Sequence, residues 1–395
     1  MKFLPRALLF ATLLLARLES AAASEAKQEF ERPPFAGAYE PQGIDERGLW
    51  MELDESERQF QDSPLLVRDE ELRDYLRSVL CKTVGFDRCE ATRLYIVRDR
   101  TFNASMAPNG LMLVHTGLLA RVHSEAELAT VLAHEFAHFE LRHSLNRFRK
   151  IRTGTDIMAW LSLGGAATNT NMRNSLDAIA ASFYQFSREQ EQEADLLAAA
   201  YVRSSPYPLR ASQVWKRLLD ENDELRKERN LRRIKRYRPG VTDTHPTNLQ
   251  RIAYFLTLET ETGAQDGEDG AIYYQGQTVR VMPELLDSLV KGNEFAAADF
   301  VIRSRGDVLG WDGLMLYERG ELYRLRGNPR DLVTAREFFR KATEYPDSPA
   351  ECWRGLGLAS IRLGDSVTGK AALAEYLVRV PGAKDAATIR FLMEN

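Results

Sequence analysis

The 395-residue sequence predicts a mainly α-helical protein in two parts, the first carrying a small β-hairpin or sheet and the second built from helical repeats. Three observations predict it. Long stretches show apolar residues at helical spacing, among them Leu72, Tyr75, Leu76 and Leu80 in "DEELRDYLRSVLCKTVG". A short alternating segment, "RLYIVRD" at 93–99, is followed by a Pro-Asn-Gly turn signal at 108–110. Beyond residue 283 the chain becomes self-similar with a period near 35 residues.

At the N-terminus, Lys2 and Arg6 precede the apolar run "ALLFATLLLA" and the small residues "AAA" at 21–23. This is the order of a secretory signal peptide, and its apolar core is too short to span a bilayer. No later segment has the roughly 18 apolar residues of a membrane helix. The mature chain is therefore expected to be exported without a transmembrane segment, with peripheral membrane association left open. Removing residues 1–23 moves the formal charge from −4 to −6, a mild acidity that argues against a nucleic-acid binder.

Of the three cysteines, Cys81 and Cys89 have seven residues between them and can close a small disulfide loop under oxidising conditions. Cys352 falls in the repeats and reads as a buried apolar residue, and no C-x-x-C zinc spacing occurs.

Residues 24–45 lack periodicity and read as an extended arm, 46–85 as helical, and 93–99 as a strand. "NASMAPNGLMLVHTGLLARV" reads as strand, turn, strand and the start of a helix. Its first strand, Asn103, Ala104, Ser105, Met106 and Ala107, is a candidate docking edge for an extended peptide, with a plain structural hairpin as the alternative. Ser124, with Glu127 three residues on, gives a capping-box signature for a helix over 125–150. Residues 158–171 read as a loop or flap, and 173–204 as a second long helix. The arginine-rich run 224–239 reads as a solvated helical face. The acidic, glycine-bearing stretch 259–270 marks a boundary. The expected division is thus a signal peptide over 1–23, a first domain over 24–262, a linker over 263–282, and repeats over 283–395.

In the repeats, "YRLRGNPRDLVTAREFFRKATEYP" (323–346) aligns with "SIRLGDSVTGKAALAEYLVRVP" (360–381). Gly327 matches Gly364, Ala335 and Phe339 match Ala372 and Tyr376, and Pro346 matches Pro381. The period is that of tetratricopeptide helix pairs, which stack to bury a shared core and expose a concave groove.

The chemistry concentrates in "VLAHEFAHFELRH" (131–143), which holds three of the six histidines. His134 and His138 are four apart, so on a helix both imidazoles leave one face and can grip one Zn²⁺. Glu135 between them is placed to act as general base on a zinc-bound water. His143 lies about 140° from His138 on a continuing helix. Nothing in "FELRH" breaks that helix, so His143 is set aside as a ligand and expected at the surface or behind the ligands. The third ligand is sought in "EQEAD". Glu191 and Asp195 share a helix face, which suits a ligand and a hydrogen-bond acceptor for a ligand histidine. Glu189 and Glu193 point elsewhere and read as solvated. His115 and His123, without motif support, read as hairpin and surface residues.

Together, H-E-x-x-H, "SREQEQEAD" and the upstream "NASMAPNGLMLVHTGLL" resemble the zinc metallopeptidases grouped with the CAAX prenyl protease. The signal peptide and repeats make the chain similar to the periplasmic branch of that family. The resemblance covers residues 45–256 and, more weakly, 283–395. It implies a zincin-like fold for the first domain, one Zn²⁺ per chain on His134, His138 and Glu191, and Asp195 as helper. In this branch an H-P element lies near the metal, which makes His245 of "THPTNLQRI" a candidate oxyanion stabiliser or a fourth ligand that holds the enzyme latent. Arg251 reads as a structural companion. The expected function is an exported endopeptidase acting on unfolded or stalled envelope proteins in outer-membrane quality control. Its repeats would bind a client or an outer-membrane assembly machine. The alternative is a repeat-bearing chaperone or adaptor whose zinc site is latent or structural.

Overall fold

The computed structural model describes residues 39–152, 186–232, 249–261 and 267–394. The signal peptide, the 158–171 segment, most of the N-terminal arm, residues 233–239 of the basic run and His245 lie outside the described residues.

Helix α1 (Gly43–Gln61) begins inside the expected arm, and the helical stretch to 85 is not continuous. Pro64 interrupts it, and Asp69 restarts it by accepting the Leu72 N–H at 3.0 Å, which opens α2 (Glu70–Val84). Leu72, Tyr75, Leu76 and Leu80 all face the core, as their spacing predicts. Cys81 and Cys89 are joined in a disulfide, tying α2 to the short α3 (Phe86–Cys89).

Three strands follow: β1 (Arg93–Val97), β2 (Ala104–Met106) and β3 (Leu111–His115). They form one sheet in the order β1-β3-β2, with β1 parallel and β2 antiparallel to β3. The Pro108-Asn109 turn closes the hairpin through Gly110 N–H to Ala107 O at 3.0 Å. Gly110 is required there. Its φ is +88°, and a Cβ would lie 2.1 Å from the Ala91 carbonyl oxygen. β2 is therefore an edge strand, and it lies against the next long helix.

That helix, α5 (Glu125–Glu140), follows the short α4 (Thr116–Arg121) and is buried on every face from Glu125 to His138. Ser124 accepts the Glu127 N–H at 3.3 Å, but Glu127 accepts from His123 N–H at 2.7 Å. The capping glutamate thus reaches one residue further back than the sequence signature predicts, and it also pairs with Arg217. Helix α6 (His143–Arg152) comes after a break. Around α5 pack α2, α7 (Arg188–Arg203) and α8 (Ala211–Glu228), and α9 (Leu249–Glu261) packs on α8.

The expected linker over 263–282 is described from Gly267 onward, and there it holds a helix, α10 (Ala271–Thr278). Tyr274 is fully buried, and its hydroxyl donates to Leu119 O at 2.6 Å. This aromatic side chain docks what the acidic, glycine-bearing composition made look like a tether. Helices α11 (Met282–Val290) and α12 (Phe295–Leu309) continue onto α4 and α8, and Arg305 donates to the carbonyls of Ala120 and Val122 at 3.2 and 3.1 Å. One apolar cluster consequently runs from Leu72 to Leu322.

Beyond it, α13 (Gly313–Arg326) pairs with α14 (Asp331–Ala342) and α15 (Glu351–Arg362) with α16 (Ser366–Arg379), followed by α17 (Ala386–Glu394). Gly327 and Gly364 follow the first helix of each pair with φ of +69° and +85°. Ala335, Phe339, Ala372, Tyr376 and Cys352 are buried. The chain is mainly α with a small sheet and a helical C-terminal region. No helix among the described residues is long and apolar enough to cross a membrane.

Candidate metal centre

Helices α5 and α7 bring His134, His138 and Glu191 together, each of them buried. Ser187 starts α7 with a reciprocal capping box to Gln190, which places Glu191 in the first turn facing α5. His134 Nε2 and His138 Nε2 lie 3.1 Å apart, and the Glu191 carboxylate oxygens approach them to 3.6 and 3.5 Å. A tetrahedral ion with bonds of about 2.0–2.1 Å separates its ligands by about 3.3–3.4 Å, so the donor set fits Zn²⁺. Two imidazoles and a carboxylate are also the chemistry of an open catalytic zinc site. Glu135 is buried on the same helix between the two histidines.

The second face of His134 is held by Asp195, whose Oδ1 lies 2.9 Å from His134 Nδ1. Asp195 has no solvent exposure, and Arg251 of α9 grips both its oxygens, at 2.7 and 2.5 Å. Burial pushes the Asp195 carboxyl up, to about 6, and the Arg251 guanidinium pulls against that shift. Arg251 Nη1 also lies 3.2 Å from Glu191 Oε2, and its guanidinium stacks 4.2 Å from the Trp215 ring centroid. The sequence marks Arg251 only as a companion. The structure makes it a cation shared by Glu191 and Asp195.

His143 lies behind the ligands, one of the two places expected for it, but it arrives there through a break in a helix expected to continue. Helix α5 ends at Glu140, and Arg142 takes a left-handed conformation with φ of +57°. Such a residue costs about 1–2 kcal/mol when it is not glycine. The Arg142 guanidinium stacks 4.3 Å from the Tyr39 ring centroid, a contact that offsets part of that cost. The break turns His143 back beside His138, their Nδ1 atoms 2.9 Å apart, and buries it. His143 Nε2 lies 3.1 Å from Glu193 Oε2, so Glu193, expected to be purely solvated, has a partner at the site. Burial pushes the His143 imidazole down, against the opposing effect of Glu193. Glu189 is exposed, as expected.

The remaining expectations divide. Ala104, Ser105 and Met106 form β2, with Asn103 and Ala107 closing its ends onto His115 and Leu111, and Ala104–Ala107 are buried. His115 sits at the hairpin base, 2.9 Å from the Thr101 hydroxyl. His123 is not a surface residue. It is 2% exposed, and burial together with Arg217 and Arg305 pushes its imidazole down to about 2. The helix expected over 173–204 begins, among the described residues, at Arg188. Of the residues around the ligands, His143 carried a signal in the sequence, as one of three histidines within ten positions. Trp215 had none.

Residues 67–259 match the family model described as peptidase family M48. They form a family M48 peptidase domain. This M48 match bears out the resemblance drawn from the two helix motifs. Over 164 residues the chain is 29% identical to the mitochondrial metalloendopeptidase OMA1 of Schizosaccharomyces pombe, covering 40% of this chain and 44% of that one. It is 27% identical over 210 residues to the putative beta-barrel assembly-enhancing protease of Vibrio cholerae, covering 49% and 40%. It is 23% identical over 259 residues to the beta-barrel assembly-enhancing protease of Escherichia coli, covering 60% and 51%. The chain thus spans about half the length of the relatives it matches, and those relatives include mitochondrial as well as bacterial proteins.

Proposed function

We propose that the protein is a zinc-dependent endopeptidase of the cell envelope that cleaves extended segments of misfolded or stalled proteins. The observation that carries this reading is the convergence of His134, His138 and Glu191 on one point beside Glu135. A bound Zn²⁺ would supply Lewis acidity at the scissile carbonyl and toward a water molecule. Glu135 takes the proton from the attacking water and delivers it to the leaving amine nitrogen. Asp195 and Arg251 fix the His134 imidazole so that its Nε2 stays turned to the site. An extended substrate is held by adding to the outer edge of β2, which lies against α5 and pairs with no strand among the described residues. His245 stabilises the oxyanion or closes the site at rest. The C-terminal helix pairs, read as tetratricopeptide-like repeats, hold clients or an outer-membrane assembly machine. The names of the bacterial relatives support that role in outer-membrane quality control, and the leader-like residues 1–23 support export to the periplasm.

Glu135 also separates this reading from a chaperone with a structural zinc, since a closed centre has no use for a general base. The test is casein digestion by wild type, Glu135→Gln and His245→Ala. Glu135→Gln should keep its zinc and lose about 10²–10⁴-fold in rate. Wild type and His245→Ala both inert with one zinc bound would contradict the peptidase reading.

A further inference from the structure

The two ligand histidines are anchored in different ways. His134 Nδ1 faces Asp195, which has no solvent exposure and is held by Arg251. At His138 the corresponding nitrogen meets another imidazole. His138 Nδ1 faces His143 Nδ1 at 2.9 Å, and His143 Nε2 faces Glu193 Oε2 at 3.1 Å, on a side chain 62% exposed.

We propose that His143 and Glu193 form a two-residue relay that positions His138 as a metal ligand. The inference rests on the metal-holding role of His138 proposed above. With His138 Nε2 turned to the ligand cluster and its lone pair free for a cation, the neutral ring must carry its proton on Nδ1. That N–H faces His143 Nδ1 at 2.9 Å, so His143 accepts it there and in turn carries its own proton on Nε2. There it meets the Glu193 carboxylate. Each tautomer is fixed by the next group, and the chain ends on a negative charge that makes His138 a stronger donor. Phe186 stacks on the His138 ring at 3.9 Å between centroids and 18° between planes, so the ring is restrained in its plane as well as at its nitrogen. The left-handed Arg142 is what brings His143 into reach.

The relay also gives Glu191 and Glu193 distinct duties from one helix turn. Glu191 points inward as a ligand, and Glu193 reaches around the end of α5 to the back of the other ligand. His143 and Glu193 are positioning residues and touch no reacting atom.

The test is equilibrium competition for Zn²⁺ between a chromophoric chelator and the full-length protein, with thermal melting of each zinc-free variant alongside. His143→Phe should bind zinc about 10–100-fold more weakly, because it removes the acceptor that faces the His138 N–H. His143→Gln should recover most of that affinity, since its amide oxygen can accept the same proton. Glu193→Ala should fall at the weak end of the same range, about tenfold, with the melting temperature unchanged. Wild-type affinity in both His143→Phe and Glu193→Ala would overturn the relay, as would His143→Gln binding no better than His143→Phe. Failure of the wild type itself to bind zinc would overturn the metal site on which the relay stands.

Discussion

The metal helices α5 and α7 and the helix pairs from α13 to α16 are both held by buried contacts, but of opposite kinds. Around α5, the burial is of charge and imidazole. His134, His138, His143, Glu135, Glu191, Asp195 and Arg251 are each at most 4% exposed, and contacts run in a continuous chain through His143, His138, Glu191, Arg251, Asp195 and His134. In the pairs, the burial is of shape. Phe339 fills the space left by Gly320 and Gly355, where a Cβ would meet its ring at 2.5 and 2.7 Å. The difference teaches where tolerance lies. A buried polar network fails when one member is removed, because the remainder is left unpaired. An apolar interlock fails in proportion to the volume changed.

The largest effect should come from Arg251→Met, which leaves Asp195 buried without its cation. We expect a loss of about 3–5 kcal/mol in the urea unfolding of the zinc-free protein. Adding Asp195→Asn should return much of it, and a variant as stable as wild type would break the comparison. Gly355→Val should cost less, about 1–3 kcal/mol, by overpacking Phe339. Its melting should be lowered while casein cleavage at 25 °C is retained.

The smallest effect sharpens the comparison through its exception. Glu318 on α13 is a carboxyl in the apolar region, 3% exposed, and burial with the nearby Asp287 and Glu321 pushes it up to about 8 from an ordinary 4.5. Below pH 4.5 both the folded and unfolded forms are protonated, and the group contributes nothing to the pH dependence. As pH rises through 4.5 the unfolded chain ionises first, so stability falls until about pH 8, where the folded form ionises too. Glu318→Gln removes that slope. It should match wild type near pH 4.5 and become progressively more stable than wild type as the pH rises to 8. Parallel stability curves from pH 5 to pH 8 would contradict this.

Much of this was legible in the sequence because it rests on local spacing. The four-residue separations His134/His138 and Glu191/Asp195 place side chains on one helical face whatever surrounds them. The Pro-Asn-Gly turn and the glycines after α13 and α15 are likewise local. What was not legible depends on contacts distant in the chain. "FELRH" holds good helix formers, while the Tyr39 ring that meets the left-handed Arg142 at the break lies about a hundred residues earlier. Arg251 reads as a structural companion with no partner named until Asp195, 56 residues earlier, and Trp215 are placed beside it. Tyr274 looks like one aromatic residue in a tether until Leu119 supplies its acceptor.

The most direct measurement is zinc content together with casein cleavage for wild type, Glu191→Gln and Glu189→Gln. The two glutamates lie in one turn of α7, one buried against His134 and His138, the other exposed. Wild type and Glu189→Gln should carry one zinc per chain and cleave casein, while Glu191→Gln should lose both metal and activity. Full zinc and full cleavage in Glu191→Gln would contradict the account.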